Sequence, residues 1–284
     1  MSEFIRALGA YPFLQYAVAA GLLASIACGI VGSYVVTRRI TYIAGSIAHC
    51  VLGGLGAARY VQVVHGWKLV TPFLGALGAA VISALIIGLV SLKARQREDT
   101  VIGALWAIGM ALGVLFIAAT PGYTEDLMSY LFGNILMVSR QDLVSIACLD
   151  LVIVSLSCLL YHEFLAICFD EEFARVRGIR VESYYLLLLC LTAVTVVLLA
   201  TIVGVLMVIA LLTLPVAVAN VFVKTMPKIM GLSTLLSALF TTTGLALSYS
   251  PDLPAGATII IVAGAAYLIT IVFKACSAVL KRVS

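Results

Sequence analysis

His49 lies inside an apolar segment, "TRRITYIAGSIAHCVLGGLG" (37–56), with Ser46 three residues before it and Cys50 beside it. A neutral imidazole is a common ligand for zinc and related transition ions. An ionisable group within a membrane span faces the bundle interior or a water-filled path, so His49 is a candidate contact for a transported ion. The competing reading is a histidine satisfied by a hydrogen bond between helices. Asp150, about halfway along another apolar run, either lines the same path or pairs with a polar group across the bundle. Glu125, Asp126 and Asp252 crowd polar connectors. Carboxylates there attract a cation or are simply hydrated. His65 reads as a loop residue.

Hydrolytic and nucleotide chemistry find little support. "HEFLA" at 162–166 opens like the H-E-x-x-H zinc motif, but Ala166 stands where the second histidine is required. No Ser/His/Asp constellation has a supporting motif. No Walker A pattern, G-x-x-x-x-G-K-[ST], occurs, so any ATP that drives this protein is bound by another polypeptide. Seven cysteines are scattered mostly within apolar runs without a C-x-x-C pair, which argues against a disulfide framework and a structural zinc site. A net charge of +4 gives no reason to expect nucleic acid.

The elements that must position these residues are membrane helices. Of 284 residues, 63% are hydrophobic, mean hydropathy is +1.19, and apolar runs reach the length that crosses a bilayer. Lipid offers the backbone no hydrogen-bond partners, and continuous apolar runs without strand alternation select helices over a barrel. The fold class is therefore all-α, a polytopic bundle. Candidate spans are 13–36, 41–63, 72–92, 100–119, 142–162, 183–202, 204–223, 229–249 and 256–275; eight or ten crossings are the alternatives. The first reads as a retained helix, not a cleaved signal peptide. The 41 residues of 183–223 are too long for one crossing and divide at Gly204. With the N-terminus outside, 13 of the 17 lysines and arginines fall on the inner side, which places the C-terminus in the cytoplasm. Pro215 should kink its helix, and Gly53, Gly54 and Gly56 allow close helix approach. The stretch 121–143 holds a shorter apolar run, suited to an interfacial or re-entrant helix or to a loop helix packed on the bundle.

One segment departs from the rest. "FDEEFARVRGIR" (169–180) puts six charges into twelve residues of a chain that is 11% charged overall. Phe169, Phe173 and Val176 recur at helical spacing, acidic residues including Glu172 precede basic ones in the order that complements the helix dipole, and Gly178 marks a stop. This predicts a short amphipathic cytoplasmic helix, either a connector lying on the membrane or a docking element for a partner.

Four segments decide between these. "TRRITYIAGSIAHCVLGGLG" (37–56), "DLMSYLFGNILMVSRQDL" (126–143), "IVGVLMVIALLTLPVAVAN" (202–220) and "SPDLPAGATIIIV" (250–262), with "FDEEFARVRGI" between them, resemble the permease subunits of bacterial ABC importers for zinc, manganese and iron. The resemblance implies a single permease domain over 1–284 with the type II importer fold, in the bacterial plasma membrane. It implies a second permease copy, an ABC ATPase docked on the helix at 169–178, and an extracytoplasmic metal-binding protein for which Glu125, Asp126 and Asp252 are docking candidates. The chain would bind no cofactor of its own; the metal is cargo and ATP sits on the partner. Family members often carry an aspartate four residues before the histidine that matches His49. Here that position is Gly45. An ion-gradient-driven transporter, with Asp150 as the coupling group, is the alternative from a different class.

Overall fold

The computed structural model describes residues 2–67, 69–93, 98–121, 133, 135–251 and 253–283. Among them are α1 (Ser2–Ala10), α2 (Pro12–Thr37), α3 (Thr41–Val64), α4 (Pro72–Lys93), α5 (Glu98–Ala119), a 3-10 turn (Ile135–Met137) and α6 (Arg140–Leu159). The chain continues through α7 (Tyr161–Phe169), α8 (Glu171–Val176), α9 (Val181–Val203), α10 (Val205–Phe222), α11 (Met226–Tyr249) and α12 (Ala255–Val283). Nine of these helices are long and apolar enough to cross a membrane: α2 to α6 and α9 to α12. They coincide with the nine expected spans to within a few residues.

The exception is the fifth. The sequence suggests one helix to residue 162, whereas α6 stops after Leu159 and α7 starts at Tyr161, because Leu160 leaves the helical region at φ −107°, ψ 24°. The bend lets Phe164, Ile167 and Cys168 enter the core. At its other end α6 begins two residues early, under a capping box in which Ser139 and Asp142 bond each other's backbone N–H groups.

The division at Gly204 holds. Its φ of 92° and ψ of 147° are accessible to glycine and strained for any other residue, so α9 ends and α10 starts there without a loop. Pro215 sits inside α10 without ending it. Of the segment 121–143, residues 122–132 and 134 lie outside the described residues; its end packs on α2 and buries Ile135.

Helix α2 occupies the centre. It packs against α11, α6 and α10, and also touches α9, α7, α3, α1 and the 3-10 turn. Helix α3 packs chiefly against α5 and α4. Small residues set that spacing: a Cβ on Gly53 would lie 2.7 Å from the carbonyl oxygen of Gly109 on α5.

Candidate translocation residues and docking helix

Helix α3 carries Gly45, Ser46, His49 and Cys50 onto its contact with α5. The Ser46 hydroxyl donates to the Ile102 carbonyl at 2.9 Å, and the Cys50 thiol donates to the Leu105 carbonyl at 3.2 Å. Both side chains therefore staple α3 to the α5 backbone, where an apolar environment rewards any polar pairing. His49, 7% exposed, stacks on Trp106 of α5, with ring centroids 4.3 Å and planes 20° apart. A Cβ added to Gly45 would meet the same indole at 3.3 Å. A side chain at 45 would therefore crowd the Trp106 ring, which borders this position. Trp106 is the residue sequence reasoning missed; a tryptophan well inside an apolar span, away from the interfacial belt where this residue concentrates, was the available signal.

Asp150 is placed elsewhere. It is 6% exposed on α6 and lies against the backbone of α2 at Ala27, and among the described residues neither carboxylate oxygen has a hydrogen-bond partner in good geometry. His49 and Asp150 thus belong to two different helix contacts, α3 with α5 and α2 with α6. Among the described residues no group of three or more His, Cys, Asp or Glu side chains converges as a metal site. Glu125, Asp126 and Asp252 lie outside the described residues. His162 lies on α7, edge-on to Tyr161.

The charged island folds as expected in kind and shorter in extent. Asp170 adopts an extended conformation and its carboxylate accepts the Phe173 N–H at 2.9 Å, so it caps α8 and separates Phe169, the last residue of α7, from Phe173. The helix spans six residues, not the ten of 169–178. It closes with a Schellman arrangement: Gly178 at φ 79° donates to Arg175, and Ile179 donates to Ala174. Ala174 is fully buried. Phe169, Phe173 and Val176 are 66%, 51% and 87% exposed, Glu172 is exposed, and the Arg177 guanidinium lies 5.0 Å over the Phe173 ring. Three large apolar groups thus project from a capped, charged elbow.

Three comparisons bear on what this arrangement belongs to. The chain is 46% identical to an uncharacterized membrane protein of Synechocystis sp., over 93% of this chain and 92% of that one. It is 34% identical to the manganese transport system membrane protein MntC of Halalkalibacterium halodurans, over 99% and 94%. Its fold superposes on PsaBC from Streptococcus pneumoniae, solved in complex with Fab, with a TM-score of 0.82 and 29% identity, covering 95% of this chain and 94% of that chain. Residues 10–274 match the family model described as the ABC 3 transport family, and the chain belongs to that family.

Proposed function

We propose that this chain is the membrane-spanning permease subunit of an ATP-driven importer of a divalent metal ion, with manganese the first ion to test. Family membership supports the transport class, and the names of relatives support the cargo. The observation that carries the rest is α8. Beyond the Arg177 contact with Phe173, the exposed side chains of Phe169, Phe173 and Val176 bury little apolar surface within the protein. Exposed apolar anchors within a charged surround suit a groove on a partner protein. That partner is an ABC ATPase, which supplies the nucleotide site that this sequence lacks.

The charge distribution supports an inner membrane orientation with α8 and the C-terminus in the cytoplasm. An extracytoplasmic metal-binding protein delivers the ion and a second permease copy completes the path. Cargo contact falls to His49, whose imidazole becomes available when Trp106 moves off its face. Ser46 and Cys50 hold α3 against α5. Asp150, buried without a hydrogen-bond partner, is the second group for a passing cation.

The test is purification of the tagged chain from its native membrane, with mass spectrometry of whatever accompanies it, beside a Phe173→Asp variant. An ABC ATPase present with the wild type and lost with the variant supports this reading. A stable complex without an ATPase overturns it.

A further inference from the structure

The face of α8 opposite its exposed anchors is engaged within the protein, and one contact there joins three elements. Arg38 caps the C-terminus of α2, its N–H donating to Tyr34. Its guanidinium forms an ion pair with Glu171, the first residue of α8, and its Cζ lies 5.2 Å above the ring of Tyr185 in the opening turns of α9. Tyr185 is 2% exposed, whereas Arg38 and Glu171 side chains are 22% and 32% exposed. The pair is partly screened from water, and the ring beneath fixes the long arginine side chain, which reduces the entropy cost of holding it.

The turn that follows gives Arg38 its direction. Arg39 takes a left-handed conformation, φ 64°, and Ile40 donates back to Val35, so α2 ends in a Schellman arrangement built on a non-glycine residue. That conformation is unfavourable for a residue with a Cβ. It leaves Arg39 exposed and Arg38 turned into the elbow. A second attachment lies beside it, where Phe164 of α7 meets Tyr34 edge-on at 5.3 Å. Further along α2, Ser233 of α11 donates to the Gly29 carbonyl at 3.0 Å. Glu171 is thus tied directly to the end of the most central helix.

We propose that Arg38 and Glu171 are the joint through which movement of the ATPase-docking helix is delivered to α2, so that breaking the pair separates ATP hydrolysis from transport. This rests on the docking role of α8 and concerns its opposite face. Arg38 and Glu171 are positioning residues: they touch neither cargo nor nucleotide. Other contacts of the elbow, including the burial of Ala174, hold α8 on the bundle without the pair; what the pair adds is a stiff, directional link.

The test uses the native complex purified through this chain, reconstituted in vesicles, with radiolabelled manganese uptake and ATP hydrolysis measured on the same preparation. Arg38→Gln, Glu171→Gln and the double variant are compared with wild type. Each single variant is expected to retain the ATPase and its hydrolysis while uptake per ATP falls about fivefold, the size set by one partly exposed ion pair. The double variant should be no worse than either single one, because the same link is broken once. Unchanged uptake per ATP in the single variants overturns the proposal, as does a further fall in the double variant. Loss of the ATPase from Glu171→Gln also overturns it, since Glu171 would then be part of the docking surface. Absence of any ATPase from the wild-type complex is a different failure, that of the docking reading itself.

Discussion

The imidazole of His49 lies stacked on the indole of Trp106, and Gly45, one turn earlier on α3, borders the same ring. A side chain at 45 would press on the edge of the Trp106 indole, which would have to give by a few tenths of an ångström. The stack both covers the one histidine of the span and occupies the room beside it. Its strength, about 0.5–1.5 kcal/mol beyond area burial, is small enough for the bundle to break during a transport cycle.

Gly45→Asp is therefore expected to destabilise the protein by about 1–3 kcal/mol, because its carboxylate is set against the indole without a defined partner. The same substitution in a Trp106→Ala background should cost less than the sum of the two single changes. Melting temperature in detergent, measured across the cycle, checks this. Additive losses would show that Trp106 is not the obstacle.

His49→Ala should lower manganese uptake by the reconstituted complex while leaving ATPase association intact. His162→Ala should leave uptake unchanged, since the zinc motif it opens lacks its second ligand. Uptake by both variants on one preparation separates the roles; full uptake with His49→Ala removes that residue from the path.

Helix α8 depends on its caps. Asp170→Ala removes the acceptor for the Phe173 N–H and should cost about 1 kcal/mol locally. Since α8 must be helical to present its anchors, ATPase affinity should fall by about fivefold. Titration of the complex with purified ATPase reads the change. Unaltered affinity would mean that the partner, not the cap, organises α8.

Asp150→Asn replaces a buried carboxylate that has no hydrogen bond with a neutral amide of similar size. Stability should be unchanged or higher, by up to about 2 kcal/mol. Uptake should fall if the carboxylate meets the passing cation. Melting and uptake are measured together; a large loss of stability would reveal a partner for Asp150 in the assembled complex.

At the elbow, burial pushes the Cys168 thiol up to about 12, with the nearby Arg38 opposing that shift. The folded state therefore holds this proton more tightly than the unfolded state. Its contribution to stability is full below pH 9 and is lost as pH climbs from there towards 12. Maleimide at neutral pH should leave Cys168 unlabelled in the native protein and label it after denaturation. Native labelling would mean that the elbow opens readily.

The number of spans, most of their limits, the break at Gly204 and a short charged helix within 169–178 were legible in the sequence. Each follows from a local cause: apolar length against bilayer thickness, a residue able to take a positive φ, or apolar residues at helical spacing with charges ordered along the helix dipole. The site was legible only as a set of names. That Ser46 and Cys50 would be consumed on the carbonyls of Ile102 and Leu105, that Trp106 would cover His49, and that Asp150 would face α2 depend on how separate helices pack. So does the division of labour on α8, where Glu171 turns inward to Arg38 and Phe173 outward. Those contacts join residues tens to more than a hundred positions apart, and in lipid, where apolar surface does not by itself choose which helices meet, close packing of small residues and a few polar pairings make the choice.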